Sequence, residues 1–192
     1  MTQANPKALE FLLTRRSRPA KTLTPPVPDA VDLRPILTAA ARTPDHGKLE
    51  PWRLIVLERP ALERLAAAVP ERGAALGMAP EKIDKMHAQF GNAHLAVAVI
   101  AAPKASEKVP QIEQTLSAGA VCLSLLNAAL AAGWGANWLS GWASHDRNFV
   151  EPHLGLAPHE FVAGFIHIGT QTTPPPERPR PDLDAITTWM QA

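Results

Sequence analysis

Arg15-Arg16-Ser17 places two guanidinium groups and a hydroxyl on three consecutive residues. Guanidinium forks and hydroxyls are the groups that hold a dianionic phosphate. The same trio has a plainer reading, because cations are also stabilised at a helix C-terminus by the helix dipole. A second polar stretch, Thr43-Pro44-Asp45-His46-Gly47-Lys48-Leu49-Glu50-Pro51-Trp52, ends where an apolar run begins. A third, Gly133-Trp134-Gly135-Ala136-Asn137-Trp138-Leu139-Ser140-Gly141, follows a segment from Gln114 on that carries no charged side chain.

Other chemistries lack their residues. None of the seven histidines falls in HExxH, and one cysteine cannot form CxxC, so no zinc spacing is present. Around Ser140, Trp138 and Trp142 occupy the glycine positions that a nucleophile elbow requires. There is no GxGxxG or Walker pattern. Cys122 lies in an apolar stretch and reads as an inert core thiol.

These segments need elements to position them. A helix is predicted over Asn5–Thr14, with Asn5 as cap, Pro6 in the first turn and Leu9, Leu12 and Leu13 as an apolar stripe. A second follows over Asp29–Arg42, capped by Asp29, with Pro35 marking a kink or a later start. Trp52–Leu57 reads as a strand. Pro60 and Pro80 open amphipathic helices over 60–69 and 80–90. His94–Ala101 is nearly all apolar, as befits a strand covered on both faces. The long helix spans Pro110–Ala132 and stops at Gly133; Gly119 near its middle predicts a closely packed neighbour. A short strand over Gly135–Leu139, a short helix capped by Ser144 and a strand over Phe161–Ile168 follow. The tail from Thr172 to Pro181 should be extended, with an amphipathic turn at Leu183, Ile186 and Met190. The result is an α+β or α/β sandwich with one domain over 1–192.

The 192 residues are 46% hydrophobic and 19% charged, which suits a packed core and excludes wholesale disorder. A net charge of +1 gives no global attraction to nucleic acid or acidic lipid. The uncharged stretch from Gln114 to His145 is rich in Ala and Gly and has no flanking cations to orient a membrane span. It reads instead as a helix buried on every side or lying across a dimer interface. A lone cysteine and no basic-then-apolar start at Met1–Asn5 point to the cytoplasm.

In these same segments the chain resembles the FMN-dependent nitroreductase family, in particular its short bacterial NAD(P)H nitroreductase subgroup. The family opens with Arg-Arg-Ser at the end of its first helix, here residues 15–17. Its next motif is Pro-Ser-Ser-x-Asn-x-Gln-Pro-Trp; Pro44–Trp52 matches in length, with Asp45-His46 replacing the serines as in the subgroup. The likeness continues through Val109-Pro110, Glu113, Ser117-Ala118-Gly119, Trp138–Gly141 and Val162–Thr170. It implies a three-layer sandwich in which helices flank a central, mostly antiparallel sheet, with a long buried central helix. It also implies that Arg15, Arg16 and Ser17 bind the FMN phosphate and the edge of the flavin. Arg42 and His46 match cofactor contacts, and the site is shared between two subunits of a homodimer. Trp138, Leu139 and Ser140 would lie along the ring. Ala128, Ala129, Leu130, Ala131, Ala132 and Gly133 match a stretch associated with the nicotinamide nucleotide. Arg178-Pro179-Arg180 has the spacing of a tail Lys-x-Arg pair that reaches the phosphate. Lys48 and Glu50 depart from the family's Asn and Gln. A cation at 48 near the pyrimidine end of a flavin would favour its reduced anion, and Glu50 would offset it. His46 also has a plainer reading, as a loop histidine bonded to Asp45.

The leading expectation is an NAD(P)H-dependent FMN oxidoreductase that passes electrons to nitroaromatic or quinone acceptors by ping-pong kinetics. The flavin carries the chemistry, so no catalytic side chain and no metal is expected. Two alternatives stand beside it. One is a flavoenzyme of the same fold with an ene-reduction or dehalogenation acceptor; the other is a cofactor-free helical binding protein that grips an acidic partner through Arg15–Arg18.

Overall fold

The structure, a computed structural model, describes residues 3–191, so Met1 and Thr2 of the N-terminal reading lie outside the described residues. Its centre is β3 (Leu95–Ala101), seven apolar residues that are all buried. Alternate side chains go to opposite faces, as a pleated strand dictates. Ala96, Ala98 and Ile100 join one core cluster, and Leu95, Val97 and Val99 join another. β3 pairs with β2 (Trp52–Glu58) and with the long β5 (Phe161–Gln171). β5 also pairs with β4 (Gly135–Leu139) and with the two-residue β1 (Leu23–Thr24). Every pairing among the described residues is antiparallel. β5 runs past the predicted Ile168 because β1 supplies partners for Thr170 and Gln171.

Helices cover both faces, giving an α+β three-layer sandwich. On one side α3 (Arg59–Ala75), α4 (Pro80–Gly91), α6 (Trp142–His145) and α7 (Arg147–Leu154) enclose Leu62, Leu65, Phe90, Phe149 and Phe165. On the other, α2 (Ala30–Ala40) and α5 (Gln111–Ala131) enclose Leu33, Ile36, Val121, Cys122 and Leu125. Burial pushes the Cys122 thiol up to about 12, so it stays protonated and inert.

Several local expectations are corrected. α2 starts where Asp29 caps it, its carboxylate accepting from the N–H groups of Val31 and Asp32, and it continues through Pro35. α3 does not stop at 69; it passes Pro70 because its buried face continues to Gly73. A Cβ at Gly73 would sit 2.6 Å from Ile83 Cγ1, so this glycine is where α4 crosses α3. Ser144 does not start a helix. Its Oγ accepts from Gly141 N–H within α6, and Asp146 caps α7.

The largest correction concerns apolar surface. α5 is long and apolar enough to span a membrane, yet it lies against the sheet and is buried on one side only. Ile112, Leu116 and Leu123 are exposed, and a Cβ at Gly119 would meet nothing within 4 Å. An uncharged sequence marks both a packed face and a bare one, and spacing alone does not separate them. α1 (Pro6–Thr14) likewise buries nothing: Leu9, Leu12 and Leu13 are each more than half exposed. The tail from 172 has no regular structure before α8 (Leu183–Ile186), which exposes both of its large apolar residues.

Candidate functional site

The chain leaves α1 at Arg15, whose backbone turns extended while its N–H still bonds Phe11 O. The next residues are fastened along β4. Arg18 N–H donates to Ala136 O at 2.8 Å, and Asn137 Nδ2 donates to Arg18 O at 2.6 Å. Asn137 faces its cross-strand partner His167, a fully enclosed imidazole whose Nε2 has no partner. Burial holds His167 down to about 4, so it is a neutral filler at pH 7.

Arg15 Nη2 donates to Ser17 Oγ at 3.0 Å, and Arg15 Nε is buried with no acceptor. Arg16 Nη1 is also buried. It lies 3.0 Å from Glu177 Oε1 but without hydrogen-bond geometry. The same Glu177 oxygen lies 2.9 Å from Arg180 Nη2, which brings the tail to the end of α1. Arg15 is held below the usual arginine range, first by its own desolvation and then by the charges of Arg180, Arg16 and Arg18. Arg178 joins this group only through its backbone N–H, which bonds Glu177 Oε1. The cluster is thus built to lower its energy by accepting negative charge.

β4, to which Arg18 is fastened, ends at Trp138 and Leu139. Trp138 lays its indole over Gly164 of β5; a Cβ there would lie 2.0 Å from Trp138 Nε1. Leu139 is half-buried and Ser140 exposed as the strand ends.

The second motif forms a separate cluster on α5. Ser117 Oγ donates to Pro44 O at 2.8 Å, and Trp52 Nε1 donates to Ser117 Oγ at 3.2 Å. Thr43 Oγ1 bonds Ala40 O and Ser124 Oγ. These bonds pin a loop in which Gly47, Lys48 and Glu50 all have positive φ (74°, 54° and 47°). For Lys48 and Glu50 that conformation is strained, and surrounding structure must hold it. His46 does not bond Asp45. Its Nδ1 meets Glu113 Oε2 at 2.6 Å, while the Asp45 carboxylate accepts from Glu50 N–H. Among the described residues, no hydrogen bond or ion pair joins Arg42, His46 or Lys48 to the Arg15 cluster.

The stretch matched to the nicotinamide nucleotide divides. Ala129 is wholly buried, and Ala128 and Leu130 pack against the same core. Ala131, Ala132 and Gly133 are exposed, the last two lining an open cleft of about 690 Å³ with Trp134, Pro26, Val31 and Thr170. Sequence reasoning gave no role to Glu177 or Asn137, because their contacts join segments more than a hundred residues apart.

The model of the "Nitroreductase family" matches residues 12–170, which include Arg15–Arg18, β4 and nearly all of β5. The chain belongs to the nitroreductase family. It is therefore an oxidoreductase. It is 36% identical over 163 residues to the "Putative NAD(P)H nitroreductase YdjA" of Escherichia coli (strain K12), covering 85% of this chain and 87% of that one. Identity to the "Putative NAD(P)H nitroreductase" of Haemophilus influenzae is 35% over 165 residues, covering 85% and 88%. The fold resembles the crystal structure of a nitroreductase-like family protein from Bacillus cereus, with a TM-score of 0.79, 20% identity and full coverage of both chains. It also resembles a Desulfovibrio desulfuricans structure described as a "putative nitroreductase in complex with fmn", with a TM-score of 0.74, 22% identity and coverage of 98% and 99%.

Proposed function

We propose that this nitroreductase binds FMN non-covalently and passes electrons from NAD(P)H to nitroaromatic or quinone-type acceptors. The observation that carries the reading is the Arg15 cluster, where buried guanidinium nitrogens of Arg15 and Arg16 make no hydrogen bond and Arg16, Arg18 and Arg180 crowd Arg15. A phosphate monoester offers what those groups lack, several anionic oxygens in a small volume. Arg15, Arg16, Ser17 and Arg180 would hold it, with Arg178 beside them on the tail. Trp138, Leu139 and Ser140 would flank the ring, with Gly164 leaving room for the Trp138 indole on the sheet.

When bound, FMN supplies the redox chemistry, taking hydride from one substrate and giving electrons to the next. The side chains position and tune it. Trp138 presents an apolar wall, and the cluster around Arg15 fixes the phosphate end.

Arg42, His46 and Lys48 stand apart from this cluster, while α1, α5 and α8 expose Leu12, Leu116 and Ile186. Both features are accounted for by a homodimer in which the loop from one subunit completes the site of the other, since apolar surface of that extent marks an interface. With one flavin face to share, donor and acceptor enter in turn, giving ping-pong kinetics. The enzyme would work in the cytoplasm. An absorbance spectrum tests the central assignment. Purified protein should be yellow, and NADH or NADPH should bleach it under anaerobic conditions. Protein that stays colourless after incubation with FMN would refute the reading.

A further inference from the structure

We propose that Glu177 is the resident counter-ion of the Arg15 cluster, which a phosphate monoester must displace, and that it thereby sets the charge a ligand needs to bind. The inference rests on the FMN reading above and adds a specificity-determining residue to it. Arg16, Arg18 and Arg180 all lie close enough to Arg15 to act on its charge, and Glu177 is the carboxylate that bridges Arg16 and Arg180. A single oxygen, Oε1, faces both Arg16 and Arg180, at 3.0 and 2.9 Å. It also accepts from the backbone N–H of Arg178.

That carboxylate does not satisfy the cluster. Arg16 Nη1 lacks hydrogen-bond geometry toward it, and Arg15 Nε has no acceptor at all. One charge is matched and the rest are not. A monoanion that replaced Glu177 would exchange one negative charge for another. A dianion brings an additional charge and further oxygens, so it gains from the exchange.

Displacement is also easy mechanically. The Glu177 side chain is 69% exposed and stands on a proline-rich tail without regular structure. Exposed ion pairs contribute little, so releasing this one costs little. Arg16 and Arg180 keep an acceptor throughout, because they pass from carboxylate to phosphate. Between ligands, Glu177 keeps the two guanidinium groups facing one point.

The test is Glu177→Gln, which keeps the side chain's shape and removes its charge. Parent and variant are titrated with FMN and with riboflavin, read by quenching of flavin fluorescence. Glu177→Gln should tighten FMN about two- to fivefold and leave riboflavin unchanged. FMN binding that is unchanged or weaker would overturn the proposal, as would an equal gain with riboflavin. If the parent bound no FMN, the functional reading itself would fail. The counter-ion proposal would still be judged by inorganic phosphate, which should raise the melting temperature of Glu177→Gln more than that of the parent. An equal rise in both proteins would overturn it.

Discussion

Two groups of partly buried arginines sit in this molecule and are treated in opposite ways. Near the start of β5, Arg53 forms a bidentate pair with Glu160 at 2.7 and 2.8 Å and also donates to Gly155 O. Arg147 pairs with Glu151 and reaches Ala157 O and Glu160 O, and Arg72 pairs with Asp146. Each of these cations has its own carboxylate. At the end of α1, four arginines gather where one carboxylate, Glu177, pairs with only two of them, and buried nitrogens of Arg15 and Arg16 make no hydrogen bond. A satisfied network holds elements together; an unsatisfied one stores a demand that a ligand meets. The comparison predicts that charge removal costs stability in the first region and affinity in the second.

Glu160 gives the largest effect. Its pair with Arg53 holds the carboxyl down to about 2, against an ordinary value of 4.5. A depressed carboxylate stabilises the fold above the unfolded value, so that contribution is lost as pH falls from about 4.5 toward 2. Since Arg53 is partly exposed, the contribution is about 2 kcal/mol rather than the full shift. Glu160→Gln should lower the melting temperature at pH 7 by roughly 4–8 °C. It should also flatten the acid limb of the stability curve and leave FMN affinity unchanged. A variant that lost affinity with its melting temperature intact would break the comparison from this side.

Arg15→Ala should do the reverse. A charge-assisted bond contributes about 1.5–3 kcal/mol, so FMN binding should weaken roughly tenfold or more. Removing one of several mutually repelling cations should leave the melting temperature of the FMN-free protein equal or slightly higher. Fluorescence titration and a thermal scan on the same sample decide the matter. Parent-like affinity would return Arg15 to its plainer role at a helix end.

The legibility of these regions from sequence differs for physical reasons. Strands such as Leu95–Ala101 are written in a continuous apolar run, and Arg15-Arg16-Ser17 is a local motif, so both can be read from neighbouring residues. The predicted end of α3 at 69 fails because tertiary packing against Ile83 at Gly73 carries the helix past Pro70. Two-residue β1 has no pattern of its own; it exists because β5 offers it partners. Glu177 and Asn137 reach the site only through contacts between distant segments, which composition and spacing do not encode. The bare faces of α1 and α5 are not legible as bare, because exposed apolar residues and those that meet a sheet have the same chemistry.

Ser17 carries the smallest and most discriminating effect. Its Oγ accepts from Arg15 Nη2 at 3.0 Å, which leaves the hydroxyl proton free to donate to a phosphate oxygen. The hydroxyl thus does two things, steadying the Arg15 fork and contributing one bond of its own. Ser17→Ala should remove about 1 kcal/mol, a loss of roughly fivefold in FMN affinity. Riboflavin separates the two sites it could serve: its affinity should not change if Ser17 acts at the phosphate, and should fall if it acts at the ring. Because the hydroxyl works partly through Arg15, its effect should shrink once Arg15 is gone. A double-mutant cycle reads this directly, with Ser17→Ala costing less in the Arg15→Ala background than in the parent. Strict additivity would mean that the two groups act independently. The bond between them would then be a feature of the turn after α1, and the cluster would grip its ligand with separate arginines rather than a braced fork.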